Sequence, residues 1–318
     1  MTRQTPQELL EKGLITQEQF QKIEPIVSGK IVSVFYELRT LLYLGVMLFT
    51  TGAGILVYQN IGSLGHLISI IALTILMLGC FWYVHKLEVG YSHEAVKAPN
   101  AYYDYVLLLG CLLFISVQGY LQFQYGFLDD NLGWSTLITA VLFFYFAYRF
   151  DHVGVLSLAI TALASFWSIS VSPQKWYSGN FFSGSNLYNT AIIFSIVVGG
   201  VAFFLDHKEI KKHFTFTYLN FCMLIFFVGA ITGMFNEYWF AYALLIYGGC
   251  VFAFYRARQK KSFLFLLYAF LAAYTATTYL LTMTVFEHDP ELWSIYSLAS
   301  CGGFVYFIIK YKTFFKKA

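Results

Sequence analysis

The sequence has few charged residues: Asp, Glu, Lys and Arg make up only 12% of its 318 residues. A soluble globular protein has about 25% charged residues, so this chain cannot cover a water-facing surface with charge. Hydrophobic residues make up 58% of the chain and aromatic residues 20%. This composition excludes a soluble enzyme domain and an intrinsically disordered protein. It indicates a polytopic membrane protein embedded in the lipid bilayer.

Cysteine is also scarce, and no C-x-x-C pair occurs. The sequence therefore indicates neither a metal or redox site nor a disulfide-stapled secreted module. P-loop, G-x-S-x-G and H-E-x-x-H motifs are absent as well, and we expect no cofactor and no bound metal. Each cysteine lies inside an apolar run, which predicts small buried apolar side chains. The five are Cys80, Cys111, Cys222, Cys250 and Cys301.

Ten apolar runs are long enough to cross a bilayer. The hydrocarbon core is about 30 Å thick and needs about 20 mostly apolar residues per helix. The sequence therefore predicts an all-α, polytopic integral membrane protein with ten transmembrane helices. The runs lie at residues 41–58, 67–84, 105–121, 133–148, 153–170, 188–205, 215–233, 239–255, 263–281 and 292–309.

Basic residues are distributed very unevenly between the two sets of loops. With ten helices and the N-terminus inside, every Lys and Arg except Lys175 falls in an inside segment. Cytoplasmic loops of membrane proteins are enriched in Lys and Arg. We therefore expect a multi-pass protein of the cell (inner or cytoplasmic) membrane with both termini in the cytoplasm. The basic residues on the inside are divided among six segments. This favours a role in orienting the protein and contacting lipid over nucleic-acid binding.

Three regions follow from this pattern. Residues 1–40 form a cytoplasmic helical hairpin and an interfacial lead-in, residues 41–309 the ten-helix transmembrane domain, and residues 310–318 a basic cytoplasmic tail. A hairpin this short cannot hold a core by itself. We therefore expect residues 1–27 to pack on the membrane domain, on a second copy through self-association, or on a cytoplasmic protein partner.

The second helix of this hairpin has a recognisable start. Thr16 and Gln19 have the spacing of a capping box, in which each side chain binds the other residue's backbone N–H. Phe20 follows at the beginning of an apolar stripe.

The hairpin and the first span share a distinctive pattern: a short leader with a Gly turn, then a span with a Gly-rich middle that ends in Asn. The residues of this pattern are Gly13, Leu14, Ile15, Gln19, Gly45, Gly52, Gly54 and Asn60. In these residues the chain resembles a bacterial family of predicted membrane proteins, domain-of-unknown-function family 2157. The family usually has Trp after that Asn, whereas Ile61 stands here. The resemblance is specific over about 60 residues, and it implies location and architecture but no activity.

Polar side chains inside the spans are the first candidate site. No charged residue lies at mid-membrane, where charges are costly and usually functional. Gln118, Gln122 and Asn220 are the best polar candidates, each within about two turns of a span end. They either hydrogen-bond between helices or contact a solute, as ligand-binding residues would.

An acidic and histidine cluster in the outside loops is the second candidate. Carboxylates and imidazoles together could form an oxygen-rich cation site or an acid–base pair. A solvated acidic face is the alternative. The residues are His66, Asp129, Asp130, Glu287, His288 and Asp289.

Small residues on the spans predict close helix packing. Gly229 and Gly233 form a G-x-x-x-G pair, and Ala269, Ala272 and Ala276 line one face of the ninth span. Glycine followed by aromatic residues also closes the second, sixth, eighth and tenth spans, at about 50-residue spacing. This period indicates either a duplicated two-helix unit or convergence on similar packing.

Three functions remain open. The first is a non-catalytic scaffold, sensor or accessory subunit, because no catalytic constellation and no buried charge is visible. The second is a permease for a neutral or amphipathic small solute, since ten helices in about 300 residues is a layout that such transporters use. The third is an outer-face membrane-embedded transferase, with His66 or His288 and nearby carboxylates as acid and base.

Overall fold

The structure of the chain is a computed structural model. It describes residues 14, 16, 17, 19, 20, 35–59, 64–88, 90–100, 102–125, 132–171, 185–236, 238–286 and 290–316.

Ten long α-helices occupy the described residues, one for each predicted apolar run, and these residues contain no strand. The all-α prediction and the helix count are therefore confirmed. The helices are α1 (Phe35–Gln59), α2 (Leu64–Lys86), α3 (Tyr103–Tyr125), α4 (Leu132–Phe150), α5 (Val153–Val171), α6 (Ser185–Lys208), α7 (Phe214–Met234), α8 (Trp239–Lys260), α9 (Phe263–Leu281) and α10 (Pro290–Lys316). A π-helical turn, Thr282–Phe286, follows α9.

Many of these helices are long and apolar enough to cross a membrane. Within the described residues six stretches meet both conditions, and three shorter apolar helices accompany them. The six are Tyr103–Gln122, Leu187–Lys208, Phe214–Met234, Trp239–Lys260, Phe263–Val285 and Leu292–Tyr311. The shorter ones are Thr40–Ile55, Ile70–Lys86 and Val153–Ser168.

Most of the predicted N-terminal hairpin lies outside the described residues, but its capping box is present. The Thr16 N–H donates to Gln19 Oε1 at 2.9 Å, and the Gln19 N–H donates to Thr16 Oγ1 at 3.3 Å. The Phe20 N–H then donates to the Thr16 carbonyl at 2.9 Å, which is the first helical hydrogen bond. The second hairpin helix therefore starts where its sequence pattern predicts.

The chain forms two compact units. The first comprises residues 1–84 and 102–117. In it, α2 packs closely on α3, because a Cβ built on Gly110 would lie 3.0 Å from the Phe81 ring. Tyr43 of α1 makes an edge contact with Tyr105 of α3, with ring centroids 5.0 Å apart.

The second unit comprises residues 85–101 and 118–318. Its helices form antiparallel pairs, α4 with α5, α6 with α7 and α8 with α9, and α7 packs against α5, α6, α8 and α9. The G-x-x-x-G pair lies at these contacts: Cβ atoms built on Gly229 and Gly233 would lie 3.1 Å from the Tyr188 carbonyl oxygen and 2.5 Å from the Tyr242 ring. The predicted small-residue packing of α7 is therefore confirmed.

The glycines of the proposed two-helix repeat differ in their surroundings. A Cβ built on Gly199 would lie 2.9 Å from Cys222 Sγ of α7, whereas a Cβ on its counterparts Gly248 and Gly302 would meet no atom within 4 Å. Equivalent sequence positions thus make unequal contacts.

The last helix, α10, has few protein neighbours among the described residues. Its ring contacts lie on one side, where Phe307 stacks on Phe270 of α9 with centroids 4.2 Å apart. On its other side Leu298 is 76% exposed, and Cys301 is exposed as well. The expectation of a buried thiol is therefore wrong for Cys301, because none of the described helices covers that face. Cys80 and Cys111 are buried as predicted.

Candidate functional site

Three even-numbered helices of the second unit end in the same unusual backbone conformation. Asp151 after α4, Glu209 after α6 and Lys261 after α8 have φ values of 57°, 57° and 49°. Non-glycine residues rarely adopt this left-handed conformation, which helices use to stop. The N–H of His152 donates to the Ala147 carbonyl at 3.1 Å, and α8 closes in the same way. The chain therefore reverses within two residues after α4 and after α8, and charged side chains stand at the turns.

One of these turn residues, Asp151, is the centre of a buried charged cluster. Its carboxylate is only 4% exposed. Oδ1 lies 3.0 Å from Lys211 Nζ and 2.7 Å from His213 Nε2. The backbone N–H of Val96 donates to the second oxygen, Oδ2. One carboxylate thus joins the α4–α5 turn, the α6–α7 turn and residue 96, which lies between α2 and α3.

Lys211 is buried even more completely, with 1% of its side chain exposed. It is also left-handed, with φ of 47°. Its backbone N–H donates to the His93 carbonyl at 2.8 Å, and its Nζ lies 3.4 Å from the Glu94 carbonyl oxygen. The Tyr91 ring lies beneath Nζ, with its centroid 5.4 Å away. The ammonium is therefore surrounded by acceptors from residues 91–94 and by the Asp151 carboxylate.

A second ion pair lies at the beginning of the stretch between α2 and α3 that contacts Lys211. Arg149, in the last turn of α4, donates to Glu88, and His85 Nδ1 lies 3.3 Å from the other Glu88 oxygen. Both Glu88 and Arg149 are partly exposed, so this pair is more weakly held than the buried one. We call residues 88–96 the anchored segment, because ion pairs and hydrogen bonds hold it at both ends.

The cluster is built to hold a segment in place. Removing two opposite charges from water costs several kcal/mol per ion unless each is fully paired. Asp151 and Lys211 meet this condition with one another and with backbone groups. No group of three or more His, Cys, Asp or Glu in the described residues has metal-binding geometry. The buried pair therefore joins the α4–α5 and α6–α7 turns to the segment between α2 and α3.

The sequence-predicted polar residues of α3 form a second, hydrogen-bonded cluster with α4. Gln118 Nε2 donates to the Ser135 carbonyl at 2.7 Å, and Gln118 Oε1 accepts from the Thr139 hydroxyl. The Ser135 hydroxyl donates to Gln122 Oε1 at 3.3 Å. Gln122 Nε2 is buried and finds no partner among the described residues. The two glutamines are therefore brought together through Ser135.

Asn220 lies in a different place. Its Oδ1 accepts a hydrogen bond of 3.0 Å from the Tyr268 hydroxyl of α9. Asn220 thus joins α7 to α9. Asn189 joins α6 to α8 in the same way, since its Oδ1 accepts a hydrogen bond of 2.6 Å from the Tyr242 hydroxyl. Solute binding by Asn220, Gln118 or Gln122 stays a prediction.

The predicted outer acidic cluster falls largely beyond what the structure describes. Asp129, Asp130, Glu287, His288 and Asp289 lie outside the described residues. His66 belongs to α2, and its side chain is likewise outside the described part. The cation site, the acid–base pair and the solvated face all stay predictions.

The buried Asp151–Lys211–His213 cluster was not recognised from the sequence, where these residues count only as inside-loop charges. A weak signal exists, since the turn between the fourth and fifth spans is only about four residues long. A charge in so short a turn must lie beside the helix ends. The partners are separated by 55 to 62 residues, however, and no motif connects them.

Apolar cavities lie between the helices of the second unit. One of about 700 Å³ lies between α6, α7 and α8, and another of about 490 Å³ lies between α8, α9 and α10. Neither is lined by Gln118, Gln122 or Asn220.

Comparison with known proteins gives one match. Residues 7–156 match the family described as "Predicted membrane protein (DUF2157)". This match confirms the resemblance found in the opening residues and extends it through α4. No curated protein and no solved structure matches the chain.

Proposed function

We propose that this chain, whose residues 7–156 match a family of predicted membrane proteins, is a non-catalytic scaffold, sensor or accessory subunit. In this role the turns between α4 and α5 and between α6 and α7, together with the anchored segment, form a docking surface for a protein partner.

One observation carries the proposal: the buried pair of Asp151 and Lys211 holds the anchored segment against two helix turns. A loop held this firmly is ordered before a partner arrives, so binding costs little conformational entropy. Glu94 in this segment and Lys97 directly after it have exposed side chains that a partner could contact.

The polar groups inside the helices also favour this role over transport. Gln118 and Asn220 are engaged with other side chains, and the two cavities described above are lined almost entirely by apolar residues. A permease for a neutral solute would use such groups along its path. The permease and the outer-face transferase stay alternatives.

We further propose that the α4–α5 and α8–α9 turns and both termini face the cytoplasm, because the basic residues gather there. Cysteine labelling in a variant without native cysteines tests this orientation. Lys261→Cys is expected to react with an impermeant maleimide only after the membrane is opened, and Lys175→Cys before. The reverse order would contradict the orientation.

Site-specific photocrosslinking in native membranes tests the docking surface. We place a photoreactive phenylalanine analogue at Glu94 or Lys97, and at Lys175 as the control on the opposite side. The expected result is a discrete adduct with a water-soluble protein or with residues 1–27, from the first two positions only. Lys211→Met removes the contacts of Nζ with Asp151, with the Glu94 carbonyl oxygen and with the Tyr91 ring, and it should weaken the adduct.

The opposite result is equally clear. If no position gives a specific adduct, and purified protein in vesicles shows saturable flux of a neutral solute, the permease replaces the scaffold.

A further inference from the structure

An apolar groove runs along the outside of the second unit between α6, α7 and α8. Its volume is about 700 Å³, and its lining is mostly apolar, with the hydroxyl of Ser195 as a polar group. The groove is open to the surroundings of the helices, since Ile196 on its rim is 63% exposed. In a membrane, an apolar groove on the outside of the helices is occupied by lipid chains or by apolar side chains of another helix. Its lining includes Ser195, Met223, Phe227, Leu244, Gly248 and Phe252.

A partly buried arginine stands at one end of this groove. Phe252 is the last residue of α8 that lines the groove, and Arg256 follows one turn later on the same helix. The Arg256 guanidinium carbon lies 4.4 Å from the centroid of the Phe203 ring and 5.8 Å from that of Phe252. The two rings thus fix the guanidinium in position by cation–π contact.

The hydrogen-bonding capacity of Arg256 is largely unused. Its Nη1 donates to Gln259 Oε1 at 3.0 Å, while its Nε is buried and has no acceptor among the described residues. The carboxylate of Asp206 is paired with another cation, since its Oδ1 lies 3.6 Å from Lys260 Nζ. Near this end of the groove α8 carries the positive charges of Arg256 and Lys260, against the one negative charge of Asp206. This end of the groove suits an anion with several acceptor oxygens.

We propose that this groove binds an anionic glycerophospholipid, with an acyl chain between α6, α7 and α8 and the phosphate on Arg256. A guanidinium binds phosphate oxygens through charge-assisted hydrogen bonds, and basic pockets between transmembrane helices bind anionic headgroups. The lipid is the occupant that matches both halves of the site, because a partner helix would supply the apolar part but no phosphate. The inference depends only on the membrane location and not on the scaffold role.

Native mass spectrometry of the purified, delipidated full chain tests the proposal. Phosphatidylglycerol and phosphatidylcholine with the same acyl chains are titrated separately. We expect one phosphatidylglycerol to be retained, with an affinity roughly tenfold or more above that of phosphatidylcholine. Glycerol 1-phosphate, which has the headgroup chemistry but no chain, should not displace it at equal concentration.

Two pairs of matched variants separate the charge from the groove. Arg256→Gln should remove the preference for phosphatidylglycerol, while Arg258→Gln, two residues away and beside Phe254, should leave it unchanged. Gly248→Leu should fill the groove and weaken both lipids. Gly302→Leu on α10 is its control, since a Cβ at either glycine meets no atom within 4 Å. Unchanged elution and melting without lipid show that each variant folds.

Several outcomes would overturn the proposal. Equal retention of both lipids by the unaltered chain removes the phosphate contact, and equal effects of the two arginine variants reduce it to general surface charge. Displacement by glycerol 1-phosphate makes the site a simple anion site. A dimer that Gly248→Leu dissociates, with lipid binding unchanged, makes the groove the seat of a second copy.

Discussion

Replacing Asp151 and replacing Lys211 should lower the free energy of unfolding by different amounts, although the two residues form one buried pair. Asp151→Asn leaves the Lys211 ammonium, 1% exposed, beside the Glu94 carbonyl oxygen at 3.4 Å and the Tyr91 ring. Removing one partner of a buried ion pair costs about 3–5 kcal/mol, because the remaining charge is buried without compensation. We expect a loss of unfolding free energy in this range.

The reverse substitution should cost less. Lys211→Met leaves the Asp151 carboxylate with His213 Nε2 at 2.7 Å and with the Val96 N–H. These hydrogen bonds still compensate the charge, so a loss of about 1–3 kcal/mol is expected. The double variant D151N/K211M should be more stable than the sum of the two losses predicts, because it leaves no unpaired lysine.

Equilibrium unfolding in mixed detergent micelles measures these free energies, and hydrogen exchange across residues 90–98 reports the release of the anchored segment. Lys212→Met is the matched control, because its pair with Glu209 is exposed and should contribute little. Equal small losses for both single variants, or strictly additive losses in the double variant, would refute the reasoning. Either result would mean that the two charges are solvated in the native protein.

Two further predictions concern the packing of the spans, both measured by the same unfolding assay. Gln118→Leu should lower the free energy of unfolding by about 0.5–2 kcal/mol, since it removes the hydrogen bonds to α4, and a gain in stability would contradict a structural role. Gly233→Ala should cost about 1–3 kcal/mol, because its Cβ would lie 2.5 Å from the Tyr242 ring, whereas Gly248→Ala has open space. Equal effects of the two alanines would contradict the close contact.

The helices could be predicted because the signals that form them are local. An apolar run of the right length defines a helix regardless of what it packs against, so all ten runs became helices. The capping box of Thr16 and Gln19 is equally local, since both partners lie within one turn. Gly229 and Gly233 were predictable for the same reason, since a close helix contact needs small residues on one face.

The charged cluster depends on information that the local pattern does not hold. Asp151 meets Val96 and His213 only because the segment before α3 folds back over two turns. The positive-inside rule counts Lys211 as one of many basic residues, and such a count contains no information about which of them are buried. The exposure of Cys301 was missed for a related reason: an apolar run reveals that a helix enters the membrane, but not whether lipid or protein covers it.

The two-residue reversals after α4 and α8 have a consequence for biogenesis. A turn that short cannot reach away from the bilayer, so Asp151 and Lys261 must stay at the surface where their helices end. Ionised side chains do not cross the hydrocarbon readily. The tip of each helical hairpin is therefore retained on one side while both helices enter from there. For these stretches we therefore expect the two helices of each pair to enter the membrane together, and not one after the other.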